Sequence, residues 1–115
     1  MGKPVYGYFS AYVVVDFLTF PGLELHLRKQ TARWQGQLLQ LTHLEFFTLA
    51  YLAQHPGWVF TQGQIYEAVW HEFPEDCGAA AVNIISQFRR KMGPGNPIHT
   101  VFHSGYKFEL PSDLR

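Results

Sequence analysis

Two capping boxes separated by a helix stop constrain this chain more than any other feature. Thr42-x-x-Glu45 and Thr61-x-x-Gln64 each place a hydroxyl three residues before a carboxylate or amide. At that spacing the two side chains satisfy reciprocal amides in the first turn of a helix. Between them, His55-Pro56-Gly57 ends whatever the first box starts, because proline has no amide hydrogen to donate and glycine readily leaves the helical region. The pattern predicts one helix from Thr42 to about Gln54 and a second from Thr61 to Trp70. Ile65, Ala68 and Val69 form the second helix's inward stripe.

A third helix is predicted over Ala79 to Met92 and is stopped by Gly93-Pro94-Gly95. Ala81, Ile85, Phe88 and Met92 recur at helical spacing and make one buried face. Asn83, Ser86, Gln87 and Arg90 share the opposite face, which therefore offers amides, a hydroxyl and a cation to solvent. The aromatics Phe46, Phe47, Tyr51, Trp58 and Trp70 suit the core between the first two helices better than a base-stacking platform.

The flanks read as strands. Tyr12 to Phe20, Leu23 to Leu27, Ala32 to Trp34 and Gln37 to Leu41 are short apolar or alternating runs, punctuated by Pro21-Gly22 and Gln35-Gly36. The apolar run from Val5 to Phe20 is short for a membrane span of roughly 20 residues, carries Asp16 and is rich in strand formers. No cationic leader with a small-residue cleavage site precedes it, so a cytoplasmic chain without membrane association is expected. At the other end, Thr100 to Phe102 and Tyr106 to Leu110 form a hairpin around His103-Ser104-Gly105, where Gly105 can take a positive φ. The fold class expected is α+β in a single domain of 115 residues. Residues 1–41 supply a β-rich segment, and residues 42–115 supply the three helices and the terminal hairpin.

Charge sharpens the functional reading. Nine basic and nine acidic side chains cancel, a poor overall footprint for a nucleic-acid ligand. Their distribution is uneven, however. From Cys77 to Phe108 there is no acid, against Arg89, Arg90, Lys91 and Lys107, so the third helix and hairpin are locally positive. The single Cys77 cannot form an internal disulfide, which suits a reducing compartment. His99 with His103, and His71 with Cys77, lack the four-ligand spacing of a structural zinc site, so no metal and no cofactor are expected. Cys77 and His71 have no third orienting group, and no glycine-rich phosphate loop follows a strand, so the chain reads as a non-enzyme.

The ordered residues resemble the OmpR/PhoB-type winged helix-turn-helix, the effector half of many bacterial two-component response regulators. The resemblance rests on Leu41-Thr42-x-x-Glu45-Phe46, His55-Pro56-Gly57, Val69-Trp70, Phe88-Arg89-Arg90-Lys91-Met92, Thr100-Val101 and Gly105-Tyr106-x-Phe108. It covers roughly residues 18 to 110. It implies an N-terminal antiparallel sheet, three helices and a wing, with the third helix in a DNA major groove and the wing near the minor groove. It also implies tandem or dimeric binding to DNA, and contact with RNA polymerase through the loop from His71 to Gly78. Where the family usually opens its third helix with Arg-Thr, this chain has Ala79-Ala80, and where the wing usually carries Arg-Gly it has Phe102-His103. A receiver domain would need about 120 further residues. The expectation is an excised effector or a stand-alone regulator.

Read this way, Asn83 and Gln87 are the base-reading candidates, since a side-chain amide pairs bidentately with adenine N6 and N7. Ser86, Arg89, Arg90, Lys91, Lys107 and Thr61 are the candidates for the DNA backbone, and Phe102, His103, Ser104, Gly105 and Tyr106 make the wing. Solvated polar residues and a cationic helix terminus explain the same pattern without a ligand. The loss of the usual cations implies weak binding by one copy and useful occupancy by two. The competing reading is a winged-helix module that docks a protein, motivated by zero net charge, Ala79-Ala80 and an aromatic Phe102.

Overall fold

The computed structural model describes residues 16–70 and 77–110. Four short strands open it: β1 (Phe17–Phe20), β2 (Leu23–His26), β3 (Thr31–Trp34) and β4 (Gln37–Leu38), antiparallel and in chain order. The alternation read from sequence sets their faces. Leu23, Leu25, Ala32 and Trp34 are buried, while Glu24, Thr31 and Arg33 point to solvent. Gln35 and Gly36 link β3 to β4 with φ of 55° and 85°, the two consecutive left-handed residues that a tight hairpin of matching twist requires. The portion of the predicted first strand before Asp16 lies outside the described residues.

Helix α1 (His43–Ala53) starts where its capping box predicts. The Thr42 amide donates to Glu45 Oε1 at 3.0 Å, and the Glu45 amide donates to Thr42 Oγ1 at 3.2 Å. Phe46, Leu49, Ala50, Leu52 and Ala53 are buried, as are Glu45 and Thr48, so α1 is buried around much of its circumference. Helix α2 (Gln62–Trp70) has the second box, with Thr61 and Gln64 exchanging bonds of 2.8 and 3.0 Å. Its inward residues are Ile65 and Tyr66, whereas Ala68 and Val69 are half-buried. Tyr66 earns its place by stacking on Trp70, with ring centroids 4.3 Å apart and planes 8° apart.

Helix α3 (Cys77–Met92) begins two residues earlier than its sequence predicts. The predicted stripe is the buried one: Ala81, Ile85, Phe88 and Met92 all lie in the core. Strands β5 (Ile98–Val101) and β6 (Gly105–Phe108) then form the wing, each shifted slightly toward the N-terminus of its predicted range. Phe60, just before the α2 cap, pairs antiparallel with Tyr106 and joins the wing as a third partner.

One core expectation is overturned. Phe46 is buried, and Phe47, Tyr51 and Trp70 are half-buried, but Trp58 is 59% exposed. The Trp58 amide donates to His55 O, and this turn lays the indole against the His55 ring at 4.6 Å, on the outside of the corner. Phe60 fills the core instead.

Candidate nucleic-acid interface

Helix α3 carries the candidate reading surface. Asn83, Ser86, Gln87 and Arg90 are all exposed, directly opposite the buried stripe. The Arg90 guanidinium donates to Gln87 Oε1 at 3.0 Å, so amide and cation form one unit on that face. Ala79 is exposed and Ala80 half-buried at the helix entrance.

The wing is fastened beside this face at three points. Arg89 is half-buried, donates to Thr100 Oγ1 at 3.0 Å and lies 5.9 Å from the Tyr106 ring centroid. It ties the C-terminal half of α3 to β5, a role the sequence pattern does not suggest. Phe60 and Tyr106 exchange backbone bonds of 2.9 and 3.0 Å, which set β6 against the start of α2. Gly105, at φ +140°, lies so close that a Cβ there would stand 2.0 Å from the Phe60 carbonyl oxygen. An open groove of about 430 Å³ remains between Thr61–Gly63 and the wing residues Thr100, Val101 and His103–Tyr106. Gln62 and Gly63 thus join the surface, unmarked in sequence because only the bridge at Phe60 brings them beside the wing, and Thr100 joins them from β5.

The remaining candidates divide. Ser104 and His103 are exposed on the wing, and Thr61 is exposed while capping α2. Tyr106 is buried and supports the wing from beneath. Lys107 pairs with Glu109 at 2.7 Å. Lys91 lies on the flank of α3 that faces α1, where its Nζ donates to Glu45 Oε1 at 2.7 Å and to Gln40 O at 2.8 Å. The Glu45 side chain is only 4% exposed, so Lys91 answers a buried carboxylate and stands as a structural cation. Cys77 and Gly78 belong to α3 and not to the predicted 71–78 loop, whose residues 71–76 lie outside the described residues. Among the described residues, no group of three or more His, Cys, Asp or Glu side chains is placed to hold a metal ion, and no helix is long and apolar enough to cross a membrane.

A wing tied through Arg89 and Thr100 to an amide-bearing helix is the arrangement expected of the C-terminal module of a transcription regulator. The family model described as "Transcriptional regulatory protein, C terminal" matches residues 36–108. The chain belongs to that family. The transcriptional regulatory protein SrrA of Staphylococcus aureus is 32% identical over 104 residues, spanning 85% of this chain and 43% of that protein. The chain therefore spans less than half the length of this regulator. The DNA-binding domain of CpxR from E. coli is 30% identical and superposes with a TM-score of 0.72 over 84% of this chain and 98% of that one. The fold is shared, at 20% identity and a TM-score of 0.74, by the Klebsiella pneumoniae RstA DNA-binding domain solved in complex with the RstA box, over 83% of this chain and 98% of that one. The winged helix expected from sequence is thus the fold of this regulator family's C-terminal domain.

Proposed function

We propose that this domain binds double-stranded DNA sequence-specifically as the effector part of a bacterial transcription regulator. The observation that carries the reading is the outward face of α3. Asn83, Ser86, Gln87 and Arg90 stand exposed together there, with Arg90 on Gln87 and the wing fixed alongside through Arg89. A major groove about 12 Å wide admits such a helix. Asn83 and Gln87 then reach base edges, each good bidentate pair giving about 1–3 kcal/mol of discrimination. Ser86, Arg90, Lys107 and the exposed Thr61 approach phosphates, and Arg89 both holds the wing and lends it charge. Tandem or dimeric occupancy of DNA, a polymerase contact from residues 71–78, and action in the cytoplasm belong to the same reading.

The test is fluorescence anisotropy against mixed-sequence duplex DNA across a salt series, followed by site selection from randomised duplexes. Binding that weakens with salt, and loss of the selected motif in the Gln87→Ala/Arg90→Ala double variant with the fold intact, support the reading. Unchanged selectivity in that variant sinks the groove assignment. The second reading, a protein-docking module, has one specific observation in its favour: Phe102 is 80% exposed. Absence of DNA binding at low salt would turn the assignment to it.

A further inference from the structure

Among the described residues, Phe102 is the most exposed large apolar side chain. It follows β5 at the tip of the wing, in a turn closed by the Ser104 amide donating to Val101 O at 2.8 Å. His103 beside it takes φ +65°, and the two rings touch with centroids 3.9 Å apart. The hairpin beneath has little freedom to fold the ring back. Its root is bound to α3 by Arg89 and Thr100, and its second strand to Phe60 by two backbone bonds. The ring is therefore held in water at the tip of the wing, backed on one side by an imidazole.

A phenyl ring cannot neutralise a phosphate or bond a base edge, so it gains nothing from the strong negative potential of a narrow A-tract groove that draws cations. It can enter between two stacked base pairs from the minor groove and open the step, as apolar wedges do. Steps differ in what that opening costs, and pyrimidine–purine steps such as TA and CA/TG yield most readily. We propose that Phe102 is such a wedge: with α3 in the major groove, it enters an adjacent minor-groove base step and makes the wing a reader of deformability. The proposal rests on the DNA-binding reading above. It assigns the wing a specificity that a cationic tip would not have.

Sites are selected from randomised duplexes with the wild-type domain, Phe102→Ala and Phe102→Leu. The wild-type pool should carry a TA or CA/TG step at a fixed distance from the bases read by α3. Phe102→Ala should keep the α3 motif, lose the step and bind the wild-type-selected duplex roughly tenfold more weakly. Phe102→Leu, still apolar and bulky, should retain the step in part. Thermal melts matching wild type establish that the variants fold, since the ring buries little. A Phe102→Ala pool and affinity indistinguishable from wild type overturn the wedge alone and leave the ring to a protein partner. A wild-type pool with no motif at all overturns the DNA reading beneath it.

Discussion

Replacing Gly105 with alanine isolates what holds the wing to the helices. The added Cβ would stand 2.0 Å from the Phe60 carbonyl oxygen, 2.7 Å from its carbon and 3.0 Å from Thr61 Cα. All three are backbone atoms, so no side chain can swing aside and the two segments must part. Parting breaks the 2.9 and 3.0 Å bonds between Phe60 and Tyr106, each worth about 1 kcal/mol net. The positive φ of +140° adds roughly another 1 kcal/mol for any residue with a Cβ. The expected loss is about 3 kcal/mol, a large share of the roughly 5–15 kcal/mol that keeps a domain folded. Gly36→Ala is the control: its φ is +85° and no atom lies within 4 Å, so only the conformational cost of about 1 kcal/mol applies. Urea unfolding followed by circular dichroism should separate the two variants by about 2 kcal/mol. Equal destabilisation by both would refute the close approach of wing and α2. Gly105→Ala should also weaken DNA binding at temperatures where it remains folded, because the wing is displaced from α3.

Two further outcomes follow from particular pairs. Lys91→Met strips the buried Glu45 carboxylate of its cation and should cost about 1–3 kcal/mol in thermal or urea unfolding. Arg28→Ala, breaking an ion pair exposed on both sides, should change stability by less than about 0.5 kcal/mol. Burial among Tyr51, Trp58 and Phe60 lowers the pKa of His55 from its ordinary 6.5, so the unfolded chain takes up a proton there before the folded one does. Stability from this site is complete above pH 6.5 and declines as pH falls toward the folded-state value; urea midpoints across pH 5–7 should show a flatter profile in His55→Phe.

Much of the fold is legible because its signals are local. Both capping boxes make the bonds their spacing implies, and Ala81, Ile85, Phe88 and Met92 need only helical periodicity to be assigned to the core. What escapes the sequence is decided between distant segments. Phe60 lies in a short connection with no strand pattern, and becomes a pairing partner only because β6 runs past it. Arg89, Arg90 and Lys91 read as one cationic run, yet a helix turns them to three directions: one to Thr100, one to Gln87, one to Glu45. Trp58 looks like core by composition, but the turn after Pro56-Gly57 leaves it outside on His55. The residue types of the candidate surface were therefore readable, and the tasks of the individual cations were not.

Those assignments make the salt dependence of DNA binding predictable. Net charge is zero, so under the proposed function the electrostatic part of DNA affinity falls to the few cations on the α3 and wing face. Arg90 is exposed there, Arg89 is held at the wing root and Lys107 lies half-buried on β6, while Lys91 is turned away to Glu45. Each phosphate neutralised contributes about −0.9 to the slope of log affinity against log salt. With Arg89, Arg90 and Lys107 as its cations, one copy should give a slope of about −2 to −3, and two copies bound side by side about twice that. Anisotropy on a duplex holding a single site and on one holding two separates the cases. A single-site slope of about −6 would mean phosphate contacts from cations beyond this face, and a slope near zero would mean that Arg89, Arg90 and Lys107 stay with their intramolecular partners and the α3 and wing face does not meet DNA.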